Sequence, residues 1–171
     1  MSFATRTPRP ASRSLVTRAL SLHAVAFAAS IAASGALGCT PVLVTPPGFA
    51  ELDEGDDYRY RASNAEGVVL AVRREKNAPK SDLAFWSGAV DAGLRRAGYT
   101  ALEAHDVEAS GHKGKQIRYR ILRDGREHAY WVNVFVTKKK VVTLEAGGDA
   151  ELFAREEDAI KRAIASLDVD S

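Results

Sequence analysis

One stretch, residues 128–137, constrains the fold more than any other part of this 171-residue chain. Read with the two-residue period of a β-strand, it sets Tyr130, Val132, Val134 and Val136 on one face and Ala129, Trp131, Asn133 and Phe135 on the other. A strand with large apolar groups on both faces belongs inside a sheet that is covered on both sides. The composition allows such a core. Apolar residues make up 46% and charged residues 27%, which is ordinary for a globular protein, and the length suits a single domain.

The neighbouring segments supply the rest of the sheet. Residues 116–122 alternate Ile117, Tyr119 and Ile121 with Arg118 and Arg120, and Asp124-Gly125 is a tight-turn signal leading into residues 128–137. Lys138, Lys139 and Lys140 make the next turn, before an apolar strand over 141–146. Upstream, Tyr58 and Tyr60 alternate with Arg59 and Arg61. A turn over 64–67 and a strand over 68–74 complete a hairpin. Residues 99–107 show the weakest alternation of the six predicted strands, and residues 42–44 are a further edge-strand candidate.

Two helices are expected. Ser81 or Asp82 caps the first, whose stripe is Leu83, Trp86, Val90, Leu94 and Ala97, widened by Phe85, Ala89 and Ala92. Arg95 and Arg96 suit its negative end, and Gly98 supplies a left-handed stop. Gly147-Gly148-Asp149 is expected to break the chain and cap a final helix carrying Phe153, Ile160, Ile164 and Leu167. The order is β-β-α-β-β-β-β-α. It predicts an α+β fold: a mostly antiparallel sheet of about six strands with two main helices packed on it.

The N-terminus reads as an address. Arg6, Arg9, Arg13 and Arg18 are the only charges before Glu51, and an apolar run over 19–37 follows them. A basic region, an apolar region and a small-residue junction make an export signal. The run is also just long enough for an uncleaved span, but its Ala and Ser content and His23 favour cleavage. The junction, Ala36-Leu37-Gly38-Cys39, resembles the lipobox of bacterial lipoproteins. Gly38 and Cys39 fit that pattern. Its usual Leu at the third position before Cys is replaced by Ala36, with Leu37 following. The resemblance implies cleavage before Cys39 and acylation of its thiol and amine, a palmitate-type anchor. With Thr40 next, and no Asp, it implies the periplasmic side of the outer membrane. An incidental cysteine beside an ordinary cleavage site is the alternative. Cys39 is the only cysteine, so an internal disulfide and a cysteine-based zinc ribbon are excluded.

The domain plan is therefore a signal peptide over 1–38, then a lipidated Cys39 with a Pro-rich tether and acidic stretch over 39–57, and one folded domain over 58–171. The tether holds Pro41, Pro46, Pro47 and Gly48. Glu51, Asp53, Glu54, Asp56 and Asp57 lack the spacing of a calcium loop and read as solvated. Cleavage removes four of the 24 basic side chains and none of the 22 acidic ones, so the formal charge changes from +2 to −2.

Beyond residue 58 the layout resembles the PsbP-like fold (the Mog/PsbP class). The features that carry the likeness are the hairpin, the helix with Phe85-Trp86, and the strand opening Gly114-Lys115-Gln116-Ile117. The paired strands through Tyr130-Trp131-Val132 and Ala146-Gly147-Gly148 before the last helix also fit. The resemblance implies a sheet sandwiched between helices, in the manner of small exported lipoproteins of proteobacteria, myxobacteria-like lineages included. It implies an accessory or binding role and no catalytic residue.

Motifs for chemistry are sparse. No Ser sits in G-x-S-x-G. His105-Asp106 offers a base with an orienting carboxylate, and a hydrolase built on that pair is the least favoured reading. His105 and His112 lack metal-ligand spacing. Gly111-His112-Lys113-Gly114-Lys115 joins strands and is no phosphate loop, and nothing points to a cofactor or a metal. Lys113, Lys115, Arg118, Arg120, Arg123 and Arg126 form a basic hairpin, a candidate surface for an anionic envelope component or a protein partner. Edge-strand protection uses the same residue types. The export signal argues against nucleic acid. The expected function is that of an exported, lipid-anchored, non-catalytic accessory or binding module of the cell envelope. A periplasmic small-ligand binder with a cleft between sheet and helix is the alternative.

Overall fold

The structure, a computed structural model, describes residues 42–53 and 57–171. The leader, the apolar run and Cys39 lie outside the described residues. The elements run β1 (Phe49–Glu51), β2 (Tyr60–Asn64), β3 (Val69–Lys76), α1 (Leu83–Arg96), β4 (Thr100–Ala109), β5 (His112–Arg123) and β6 (Arg126–Val136). β7 (Lys140–Asp149), α2 (Ala150–Arg155) and α3 (Glu157–Ala165) complete them. One antiparallel sheet takes all the strands in the order β1-β2-β3-β7-β6-β5-β4. β6 is an interior strand with residues buried on both faces, as its pattern requires.

Seven strands replace the predicted six. The addition is β1, three residues long and too short to show a period. It starts from the Pro46-Pro47-Gly48 turn, where the Phe49 N–H donates to the Pro46 carbonyl at 3.1 Å. Residues 42–44 are not a strand. They are strapped to the end of the chain: the Asp168 N–H donates to the Val42 carbonyl at 2.8 Å, and the Val44 N–H to the Ser166 hydroxyl at 3.0 Å. Leu43 between them is only 1% exposed. The segment read as tether and acidic stretch therefore contributes both a strand and a core residue to the domain.

Two expectations near the C-terminus change as well. Gly147 and Gly148 do not break the chain; both lie inside β7. A Cβ on Gly147 would stand 2.9 Å from the Tyr130 ring, and one on Gly148 would stand 3.1 Å from Val68, so the glycines serve close packing across the sheet. The final helix is two helices. The Glu156 N–H donates to the Phe153 carbonyl at 3.0 Å, a tighter turn that separates α2 from α3. No Gly or Pro marks that break. The expected caps hold: Asp82 accepts the Phe85 N–H at 2.9 Å, Asp149 accepts the Glu151 N–H at 3.1 Å, and Gly98 has φ +92°. Asp124 and Gly125 both have positive φ, as a two-residue hairpin turn demands.

The sheet has a different core on each face. α2, α3, Leu43 and Val169 close one side over Leu70, Val72, Phe135, Val142 and Leu144. On the other side α1 rests on β4, β5 and β6, over Ile117, Tyr119, Val132 and Val134. Among the described residues no helix is long and apolar enough to cross a membrane.

Candidate functional site

Strand alternation divides the basic hairpin between the two faces. Lys113, Lys115 and Arg123 share the α1 side of β5 with Ile117, whereas Arg118 and Arg120 share the opposite side. Arg118 is a packed strut, only 21% exposed: its guanidinium lies 3.8 Å over Trp131, 2.7 Å from Glu103 and 3.9 Å from Glu157. Its Nε also donates to Gln116 at 2.8 Å, and Gln116 donates in turn to the buried Asn133 at 2.7 Å. Arg120 pairs with Glu127 at 3.7 Å and Lys115 with Asp106 at 3.0 Å, and Arg126 opens β6 in solvent. The six cations thus form no single stripe.

The other candidates separate too. His105 and Asp106 are consecutive on β4 and point to opposite faces, and Asp106 is 88% exposed and held by Lys115. His112 Nε2 meets Asp170 at 2.9 Å, and His128 Nδ1 lies 3.3 Å from the Arg126 carbonyl. Among the described residues no group of three His, Cys, Asp or Glu side chains is placed to hold a metal ion.

What the fold does assemble is a cleft on the α1 side, at the end of the sheet where β5 finishes and β3 begins. α1 rests chiefly on β4, β5 and β6 and reaches β7 at Val141, so at the Gly147 end of β7, where the cleft lies, the described residues place no helix over this face. Tyr58, Tyr99 and Tyr130 wall a hollow of about 320 Å³ there, with Arg61, Arg123 and Glu145 between them, and Arg73 stands behind Tyr58 and Glu145. Gly147 forms part of the floor and lets the Tyr130 ring lie close against the backbone. The rings of Tyr99 and Tyr130 are 5.0 Å apart. Arg73 stands 4.4 Å from the Tyr58 ring, donates to the Tyr58 hydroxyl at 2.5 Å and lies 3.5 Å from Glu145. Arg123 donates to the Tyr99 hydroxyl at 3.0 Å, and Arg61 lies 4.9 Å from the Tyr58 ring. Burial, with the Glu145 carboxylate beside it, pushes the Tyr130 phenol far above its ordinary value, so it stays a neutral donor.

A second hollow, about 650 Å³, runs between α1 and β4. Its charges already answer one another, Arg95 with Asp91 at 2.9 Å and Lys115 with Asp106 at 3.0 Å. In the tyrosine cleft, by contrast, neither Arg61 nor Arg123 has a carboxylate within 4.0 Å among the described residues. Of the residues lining this cleft, only Arg123 belongs to the basic hairpin that the sequence marks as a candidate surface. One signal is present: Glu145 is the one carboxylate in the segment Val141–Ala146 of an interior strand, two residues before Gly147-Gly148.

No described protein family matches the sequence, and no curated protein matches it significantly. Solved structures do match. LpqN, involved in cell envelope biogenesis of Mycobacterium tuberculosis, superposes with a TM-score of 0.62 at 14% identity, over 72% of this chain and 78% of its own. CyanoP, the cyanobacterial PsbP of Synechocystis, gives 0.56 at 14% identity over 81% of this chain and 98% of its own. A Pseudomonas aeruginosa protein of unknown function, PA94, gives 0.55 at 14% identity over 72% and 82%. The chain has a PsbP-like fold.

Proposed function

We propose that the chain is exported, acylated at Cys39, and works as a non-catalytic binding module on the periplasmic side of the outer membrane. The observation that carries this reading is the join between the lipobox and the fold. Val42, three residues after Cys39, is already hydrogen-bonded into the domain. Three residues reach about 11 Å at most, so an acyl anchor on Cys39 ties the domain directly to the leaflet. Stable anchoring needs two or more acyl chains, which the lipobox chemistry supplies.

The strap also gives the domain a direction. Beside it, Arg74 donates to the Asp168 carbonyl at 3.1 Å, Lys140 to the Asp170 carbonyl at 3.0 Å, and Ser110 to the Leu167 carbonyl at 2.8 Å. These residues lie at one end of the sheet, and the tyrosine cleft lies toward the other. From Lys140 to Gly147 β7 covers about 23 Å, at ~3.3 Å per residue. An anchor at Cys39 therefore leaves the cleft facing away from the membrane. The shared fold with LpqN, a protein of cell envelope biogenesis, fits that setting.

Cys39→Ser tests the reading in the native cell. The expected result is loss of metabolic acyl labelling and release of the protein from the membrane fraction. Retention of the variant by membranes overturns it. A wild-type protein found free in the periplasm favours the soluble ligand binder, which keeps the cleft without the anchor.

A further inference from the structure

We infer that the tyrosine cleft binds a carboxylated sugar. The site itself belongs to the binding role proposed above; its ligand class follows from the cleft alone. A volume of about 320 Å³ is at the small end of ligand sites, ~300–1,000 Å³, which suits one or two sugar rings. The rings of Tyr58, Tyr99 and Tyr130 offer flat apolar walls with polar rims, and such rings pack well against the C–H face of a pyranose.

The charges select among sugars. Among the described residues the cleft is lined by two guanidiniums, Arg61 and Arg123, and one carboxylate, Glu145, which Arg73 beside the cleft holds at 3.5 Å. Arg61 and Arg123, which have no carboxylate within 4.0 Å among the described residues, face an incoming anion. A guanidinium has five N–H donors in a fork that matches a carboxylate. Arg123 commits a donor to Tyr99 and keeps the rest, and holding one donor fixes the plane of the others. The hydroxyls of Tyr58 and Tyr99 each accept from an arginine, which leaves their protons free for ligand oxygens. Glu145 accepts from a ligand hydroxyl. As a like charge it also penalises a doubly charged phosphoryl group more than a singly charged carboxylate. Guanidinium forks, phenol donors, one acceptor and aromatic walls together describe a sugar whose ring carries a carboxylate. The cleft's position, at the end of the sheet away from the strap, fits an acidic envelope polysaccharide and not a headgroup of the anchoring leaflet.

The test uses the wild-type protein extracted in non-ionic detergent, titrated calorimetrically with digalacturonate, with neutral digalactose and with glucose 6-phosphate. Saturable digalacturonate binding is expected, about tenfold or more tighter than digalactose. Arg123→Ala should weaken it by about tenfold, with Arg123→Lys intermediate, because an ammonium keeps the charge and loses the fork. Arg120→Ala, on the opposite face of β5, should leave binding unchanged, and thermal melting confirms that each variant is folded. Equal binding of the acidic and neutral disaccharides overturns the inference, as does no saturation by about 10 mM digalacturonate. Tighter binding of glucose 6-phosphate overturns the carboxylate assignment, and equal losses in the Arg120 and Arg123 variants overturn the site. Membrane fractionation of the same preparation reads the anchor separately, so either proposal can fail while the other stands.

Discussion

The two faces of the sheet are built on different terms. On the α2–α3 side, Phe135, Val142, Leu144, Ile160 and Leu167 are all fully buried, Trp131 meets Phe153 edge to face at 5.0 Å, and the N-terminal strap adds Leu43. On the α1 side the helix has no fully buried residue, and three tyrosines form a chain, Tyr99 lying 6.1 Å from Tyr119 and 5.0 Å from Tyr130. Stability concentrated in one face frees the other to carry polar, water-accessible groups without risk to the fold. Truncation gives the largest expected difference. Phe135→Ala empties the space against Gly114, where its ring leaves no room for a Cβ, and should cost ~3–5 kcal/mol in urea unfolding. Val90→Ala, on the half-buried face of α1, should cost about 1 kcal/mol. Similar losses for both would break the asymmetry.

The same contrast decides what the sequence could show. Where a strand is long and packed on both sides, as β6 is, alternation alone places it inside the sheet. β4 reads weakly because it is an edge strand whose register slips between Ala101 and Glu103, which disturbs the two-residue period. β1 is too short to carry a pattern, and the α2–α3 break has no Gly or Pro to announce it. The basic hairpin was legible as composition but not as a surface. Alternation was enough to divide Lys115 from Arg118, yet only the partners Glu103, Glu157 and Trp131, distant in sequence, make Arg118 a strut. The cleft draws Tyr58, Tyr99, Tyr130 and Glu145 from separate parts of the chain, and no local spacing joins them.

Asn77 sharpens the comparison on a smaller scale, because it fastens α1 to the sheet. Its side-chain amide donates to the carbonyls of Ser81 and Thr137, each at 3.0 Å. Its oxygen accepts the Ser81 N–H at 3.0 Å and the Trp86 indole at 2.9 Å. All four bonding positions of this buried amide are used. Asn77→Ala should cost ~1–3 kcal/mol, since the groups it serves are left without partners. The chain has two tryptophans, Trp86 on the α1 side and Trp131 on the other, so hydrogen exchange at their indoles separates the faces. Exchange at Trp86 should quicken strongly while Trp131 stays protected. Equal acceleration at both would mean that the faces unfold as one unit.

The smallest effect is nil at neutral pH and appears only in alkali. Burial raises the phenol of Tyr119, and Asp91, which accepts its hydroxyl at 3.0 Å, adds to the shift. Burial raises Tyr130 in the same way, with Glu145 adding. On the closed face burial also raises Tyr60, but the hydrogen bond with Thr45 works against it. In each case the folded protein holds the proton more tightly than the unfolded chain, whose tyrosines ionise near pH ~10. The stability these groups contribute is therefore complete below pH ~10 and is lost as the pH rises from there through the folded values. Urea midpoints should accordingly fall above pH ~10, and the phenolate absorbance of these tyrosines should rise together with unfolding. Tyr119→Phe and Tyr130→Phe should each flatten that fall, and Tyr60→Phe should flatten it less. If Tyr60→Phe has the greatest effect, the alkaline weakness belongs to the closed face. The division of labour between the faces would then fail at the groups that line the cleft.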